Sequence, residues 1–535
     1  MNFAAEEAEP ARRKVGPWVV ALVVVVPTFM EILDTSIANV ALRYIAGGLS
    51  ASVNDSDWVI TSYLAANATI LPITGWLSTW LGRRNYFLIS IAVFTAASAL
   101  CGMATTLEQL IVFRVIQGLA GGGLQPSSQA VLIDAFPPEK QNVAITLFAI
   151  AGLLAPVVGP TLGGYITVFY DWRWIFYINI PVGLATLVAC AAILNDPDYL
   201  KRRRAEFLSK PIRFDSIGLG LLALVVACWE VLLSKGQEWD WYNDPSWRVQ
   251  AMAILFVVGL VLLYRRETRI ENPVVDFRPL LDRNFTASSV IIFFAFGVLY
   301  GCTVTLPNLL QTLFGYDAYV SGLVMSPSGL GSVMMLLVAG TLLGKGLDAR
   351  RLILTGLIVM AGSLYWMARL NLEIAPAQVA WPRFVTFMGI SLLFAPLNLS
   401  ALSKIPQEMR GGAVGLYALL RNEGGSMGTS LSKIFEERRE QFHLSRTGEF
   451  LDPLNPAVRS FAAQGRAFFL HQTGDPPGSA RRAWRLLADA RQRQAASLAF
   501  FDVFLLFAAI SLALIPVILF MRRPVAEKGA HLAAE

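Results

Sequence analysis

Long apolar runs alternate with short polar connections along this chain, and the runs have the length of membrane spans. A bilayer core of about 30 Å needs about 20 mostly apolar residues per helix. Fourteen runs meet that length, at 17–40, 58–80, 86–105, 108–133, 143–168, 173–194, 215–234, 248–264, 286–308, 319–343, 352–370, 379–402, 413–434 and 498–521. None shows the roughly ten-residue alternation of an outer-membrane barrel. Helices remain the only spanning structure, because lipid offers backbone groups no hydrogen-bond partner. The pattern predicts an all-α membrane protein with 14 transmembrane helices. The first run passes straight into Leu33-Asp34-Thr35 without a small-residue cleavage site, which predicts an uncleaved first helix.

Composition agrees: 55% of residues are apolar and 15% charged, against roughly 25% charge in soluble domains. The net charge of +6 does not point to nucleic acid, because the basic residues fall in particular short connections. One side collects Arg12, Arg13, Lys14, Arg83, Arg84, Lys140, Lys201 to Arg204, Lys210, Arg213, Arg265, Arg266, Lys345, Arg350, Arg351, Arg522, Arg523 and Lys528. The other side's short loops hold Arg43 and Lys235, with Arg173, Arg248, Arg369 and Arg383 at nearby span ends. Lysine and arginine in short loops mark the cytoplasmic side. Both termini are therefore expected in the cytoplasm and the protein in a bacterial inner membrane. Trp18, Trp58, Trp172, Trp239, Trp241 and Trp381 sit near span ends, where an interfacial belt is expected. Cys101, Cys190, Cys228 and Cys302 all lie in apolar runs and read as small core residues. The three histidines lie outside those runs, which leaves no histidine-ligated metal site in the membrane.

A weak internal repeat divides the chain. Gly75 to Arg84 closes the second span, and Gly340 to Arg351 closes the tenth; each is a small-residue helix end running into a basic turn. With spans seven and eight set aside, the two turns occupy the same place in two six-helix halves, a recurrent transporter plan. The expected organisation is a cytoplasmic tail at 1–16, a six-helix bundle at 17–194, and a basic linker with two extra transmembrane helices at 195–285. A second bundle takes 286–434 and 498–521, a long periplasmic loop 435–497, and a cytoplasmic tail 522–535.

Charged groups inside lipid cost roughly 2.5–3.5 kcal/mol each on insertion scales and usually face a cavity or a partner. Glu31 and Asp34 lie three apart in the first span and share one helix face. Arg114 in the fourth span lies at a depth similar to that of Asp34, so the two are placed to pair. Desolvation favours the protonated form of a carboxyl and a nearby guanidinium the ionised form. An acid held between those effects can load and release a proton; the same pair also serves as a static clamp. Arg421 and Glu423, two apart on a helix, point to different sides, and each needs a partner elsewhere or water. With Gln117 and Gln125 they are candidate cavity residues. Glu230, in the seventh span, reads as an interfacial group. In the fifth span Gly152, Pro156, Gly159, Pro160, Gly163 and Gly164 form a small-residue and proline pattern. Glycines allow close backbone approach and prolines free carbonyls, which suits a hinge or gate between halves and equally suits tight static packing.

Together these segments resemble the major facilitator superfamily, in particular its fourteen-helix drug:proton antiporter family. Leu33 to Leu42 is similar to that family's first-helix motif, and Arg114-Val115-Ile116-Gln117-Gly118 to the fourth-helix motif whose arginine is implicated in proton transfer. Gly152 to Gly164 resembles the fifth-helix antiporter motif. Gly75 to Arg84, with Gly82, Arg83 and Arg84, resembles the turn that controls the gate between halves; Asp171 to Gly183 is also typical. One departure is Thr79, where the turn usually carries an aspartate. The resemblance implies a major-facilitator-like fold of two six-helix bundles plus two inserted linker helices, and a secondary transporter, not an enzyme. It also implies export of small amphipathic substrates driven by the proton motive force, with no cofactor. The long loop 435–497 narrows the resemblance to EmrB-type pumps, which implies a periplasmic adaptor protein and an outer-membrane channel as partners. Export of one physiological solute, and a membrane-embedded enzyme or sensor, are the alternative readings.

Overall fold

The computed structural model describes residues 16–137, 141–209, 215–270, 273–406, 409–452 and 454–522. Arg12, Arg13, Lys14, Lys140, Lys210, Arg213, Arg523 and Lys528, and with them nearly all of both tails, lie outside the described residues. The described residues form helices and connections, with no strand among them. The first bundle contains α1 (Pro17–Gly48), α2 (Trp58–Ile70), α3 (Thr74–Leu81), α4 (Arg83–Met103), α5 (Leu107–Gly121), α6 (Leu124–Ala135), α7 (Gln141–Phe169) and α8 (Asn179–Ile193). Two helices follow, α9 (Ser216–Lys235) and α10 (Arg248–Glu267). The second bundle contains α11 (Arg283–Thr312), α12 (Ala318–Met325), α13 (Pro327–Gly344), α14 (Ala349–Ala368), α15 (Pro376–Leu402), α16 (Arg410–Gly448) and, after α17 (Pro456–Thr473), the last helix α18 (Pro476–Ala513).

Eleven helices of the described residues are long and apolar enough to cross a membrane by length and composition. The other three expected crossings have physical reasons to miss that mark. The second span breaks into α2 and α3 at Leu71-Pro72-Ile73, and the fourth into α5 and α6 at Gly122-Gly123. Proline removes an intrahelical donor and glycine weakens a helix interior. The thirteenth, α16, carries Arg421, Asn422 and Glu423 within it and charged residues beyond Ile434.

The two repeated turns have the same backbone device. Gly82 (φ 87°) and Gly346 (φ 82°) both adopt the left-handed region open to glycine. After the second turn, Asp348 accepts from the Arg350 backbone N–H at 3.0 Å and caps α14. α9 packs on α10, α2 and α16, whereas α10 presents Ile254, Val257 and Leu260 outward, as a lipid-facing helix does. Trp18, Trp247 and Trp381 are exposed at helix ends, but Trp172 is buried against Gly48 and Phe176 and does not belong to the belt.

The connection 435–497 is largely helical. α16 continues unbroken to Gly448, and α17 and the first half of α18 form a helical projection. Its alanine, arginine, glutamate and leucine residues are good helix formers, while its charge keeps it from reading as a span. Asp502 of α18 accepts from Arg439 (2.6 Å) and meets His443 (2.7 Å), which ties the continuation of α16 to the last helix.

Candidate functional site

α1 is the axis of the site. Its buried face carries Glu31, Asp34, Thr35 and Ser36 in succession. Arg114 of α5 donates through Nη1 to Asp34 Oδ2, and both side chains are enclosed. Gln117 Nε2 (3.1 Å) and Asn179 Nδ2 (2.7 Å) donate to the other oxygen, Oδ1. Arg114 Nη1 also reaches Gln117 Oε1 at 2.9 Å, and Nε donates to the Val59 carbonyl at 3.1 Å. Its guanidinium lies 4.2 Å from the centroid of the Tyr63 ring. Arg114 Nη2 has no partner among the described residues. A buried ion pair persists where further hydrogen bonds satisfy its remaining atoms, and Asp34 meets that condition better than Arg114 does.

Glu31 lies on the same face, one turn nearer the start of α1. Its Oε1 accepts from Tyr63 Oη (3.2 Å) and Asn67 Nδ2 (2.9 Å), and its Oε2 from Gln125 Nε2 (2.7 Å). Tyr63 thus touches both acids' surroundings, its ring against Arg114 and its hydroxyl on Glu31. Gln125 in turn accepts from Arg421 Nη2 of α16. Beside that bond, Asn422 donates to Asn67 at 3.1 Å. The polar chain therefore runs from Asp34 in the first bundle to Arg421 in the second. Between the bundles, Gln125, Phe148, Asn398, Tyr417 and Arg421 line a narrow cleft of about 10 Å³, room for about one water.

The expected candidates divide accordingly. Asp34, Arg114 and Gln117 form one cluster; Glu31, Gln125 and Arg421 form the next. Of the four cavity candidates, Gln125 and Arg421 line the cleft, while Gln117 serves Asp34 and Glu423 turns toward α9. Glu230 is buried (3% exposed) and accepts from Ser426 at 2.6 Å, so it does not reach the interface. Arg383 is no span-end charge either. It is 1% exposed, donates to Thr303 at 3.0 Å and lies 4.3 Å from the Phe387 ring centroid. Tyr63, Asn67 and Asn179 were not singled out by the sequence. Amides inside apolar runs were the available signal for the two asparagines.

The fifth-span pattern packs in two directions. A Cβ on Gly159 would run into Ser36 of α1, and one on Gly163 would come within 3.1 Å of Ile37. Ser36 donates to the Pro156 carbonyl at 3.4 Å, on the carbonyl side of the kink that Pro156 and Pro160 invite. A Cβ on Gly164 would collide with the Ala318 carbonyl of α12, and Thr161 donates to the Gly322 carbonyl at 2.7 Å. α7 is thereby seated against α1 on one side and the second bundle on the other. Gly152 is apart from this, with only Ile32 at 4.0 Å. Toward the same end of the molecule as Thr161, Lys433 meets Asp57 at 2.6 Å, and Arg43 and Glu436 both bond Asn308.

At the first basic turn, a Cβ on Gly75 would meet no neighbouring helix, and the Thr79 hydroxyl donates to the Gly75 carbonyl, at 2.9 Å, its only hydrogen bond among the described residues. Acids from elsewhere supply the charge: Asp134 pairs with Arg83, and Asp196 accepts from the Arg84 backbone N–H at 2.9 Å. Arg84 Nη2 donates to the Ala191 carbonyl at 2.7 Å.

The family described as the Major Facilitator Superfamily matches residues 25–429. The multidrug export protein EmrB of Haemophilus influenzae is 39% identical over 447 residues, covering 83% of this chain and 86% of that protein. The fatty acid resistance protein FarB of Neisseria gonorrhoeae is 35% identical over 435 residues, covering 81% and 84%. Among solved structures, a peptide transporter in complex with sulfate superposes with a TM-score of 0.57 at 14% identity, covering 94% of this chain and 95% of that one, a likeness of fold.

Proposed function

Because the chain belongs to the major facilitator superfamily, and is a transporter and not an enzyme, we propose that it exports amphipathic or hydrophobic small molecules in exchange for protons. The basic face is read as cytoplasmic and the membrane as the bacterial inner membrane. The observation that carries this reading is the polar chain from Asp34 through Arg114, Tyr63, Glu31 and Gln125 to Arg421. Asp34 loads a proton and releases it against the pull of Arg114. A change of charge on α1 is felt at Arg421 because Gln125 bonds both Glu31 and Arg421. In this state the cleft beside Gln125 and Arg421 has room for about one water, about 10 Å³, so substrate enters there only when the bundles part, rocking about the α7 seam in alternating access. A proton moved down the membrane potential supplies about 2.3 kcal/mol per 100 mV, and a pH gradient adds roughly 1.4 kcal/mol per unit. The proton motive force takes the place of a cofactor.

The helical projection at 435–497 is the proposed docking surface for a periplasmic adaptor that leads to an outer-membrane channel. It exposes Phe450, Phe461, Phe468 and Trp484. Similarity to named multidrug export proteins supports the broad substrate class. Similarity to the fatty acid resistance protein favours a second reading, export of one amphipathic carboxylic acid. The test is efflux of a fluorescent substrate in inverted vesicles with and without a proton uncoupler. Accumulation that collapses with the uncoupler is expected; accumulation indifferent to it would falsify proton exchange. A deletion strain sensitised to fatty acids alone, and not to unrelated toxicants, selects the second reading.

A further inference from the structure

A second pair of acids lies where α9 meets α16, away from the chain that starts at Asp34. Glu230 and Glu423 are 3% and 8% exposed. Ser426 lies three residues beyond Glu423, on the same face of α16, and its hydroxyl donates to Glu230 Oε2 at 2.6 Å. Glu423 therefore faces Glu230, and the Glu230 carboxyl lies within hydrogen-bond reach of it, with the Trp229 indole alongside. Neither oxygen of Glu423 receives a well-formed hydrogen bond from any donor among the described residues.

No described cation reaches the pair. Lys235, farther along α9, pairs with Glu238. Arg421, two residues before Glu423, is turned to Gln125. Arg383 of α15 is turned to Thr303. The neighbouring helices offer neutral groups: Thr61 of α2 bonds Ser234, Phe256 of α10 stacks on Trp229 at 5.3 Å, and Tyr300 of α11 lies against Gly425.

Two carboxylates cannot both stay ionised in contact inside a low-dielectric interior. One carboxylic acid beside one carboxylate resolves the contact: the acid's O–H donates to its neighbour, which supplies the partner that Glu423 lacks. We propose that Glu230 and Glu423 form a second proton-binding site, in which one proton is shared across the seam between the inserted helix α9 and the second bundle. The site goes beyond the proton exchange assigned to Asp34, and it gives α9 a part in proton handling. A proton leaving it puts two like charges in contact and loosens α9 from α16.

Infrared difference spectra of the purified full-length protein between about pH 5 and about pH 9 read this site directly, because a protonated carboxyl has a C=O stretch that its carboxylate lacks. The wild-type spectrum is expected to hold one protonated-carboxyl band that the double variant Glu230→Gln/Glu423→Gln loses. Each single variant is expected to keep a protonated carboxyl at a shifted frequency, since its neighbour changes from carboxylate to amide. Spectra of wild type and double variant that superimpose overturn the proposal. So does a band altered by only one of the single changes, since the proton then belongs to that residue alone. The single variants keep the question answerable if the double variant misfolds. No transport is required, so failure of proton-driven export leaves this result standing.

Discussion

Arg114 closes on Asp34 with a guanidinium that has no exposed surface, while one of its nitrogens, Nη2, stays without a partner. The acid is fully satisfied by Arg114, Gln117 and Asn179, and the cation is not. An arrangement of that kind holds the acid firmly while leaving the base able to re-bond when the acid takes a proton.

Asp34→Asn keeps the shape of the side chain and removes its titration. Substrate accumulation in inverted vesicles is expected to fall at least about tenfold, since the charge that draws on the membrane potential is gone. The variant protein should reach the membrane in wild-type amount on an immunoblot. Full drug resistance in cells carrying it removes Asp34 from the coupling role.

Breaking a buried ion pair by removing one partner typically costs about 3–5 kcal/mol, because the other charge stays buried. Arg114→Ala is therefore expected to lower the melting temperature in detergent markedly. Asp34→Asn/Arg114→Gln, with neither charge left, should regain most of that stability and none of the transport. Equal melting temperatures for the single and double variants argue that the pair is not what the buried charge depends on.

Gly164 and Gly152 belong to one sequence pattern but have opposite surroundings. Gly164→Ala drives a methyl into the Ala318 carbonyl and should impair transport or folding. Gly152→Ala has room beside Ile32 and should stay within about 0.5 kcal/mol of wild type. Comparable behaviour of the two variants removes the close seam between α7 and α12 as the reason for the pattern.

Phe468 is exposed on α17, within the projection. Phe468→Ser is expected to lower resistance in whole cells and to leave efflux in inverted vesicles unchanged, because only the cell requires an adaptor. Loss in both assays makes Phe468 part of the transporter's own fold; loss in neither removes this surface from docking.

Charge within apolar runs made Asp34, Glu31, Arg114 and Arg421 visible in the sequence, since lipid tolerates such groups only at a cost. Spacing alone put Glu31 and Asp34 on one face, and depth matched Asp34 to Arg114. Their neutral partners were harder to see. Tyr63 resembles an interfacial aromatic, and nothing local says that its hydroxyl reaches Glu31. Distance from a span end places Glu230 at the interface, but it does not tell which helix covers the side chain; only the packing of α9 on α16 buries it. Hydropathy likewise hid the helices at 435–497, where charged residues are good helix formers but poor span formers.

The continuity of α16 has a mechanical consequence. Thirty-nine residues without a break make a rod about 58 Å long at 1.5 Å per residue. Its inner part holds Arg421 and Glu423, and its outer part stands in the projection, where Arg439 and His443 meet Asp502 of α18. A tilt of a few degrees near the cleft becomes a sweep of several ångströms at the tip. Whatever sits on that tip would sense, at a distance, which way the transporter faces.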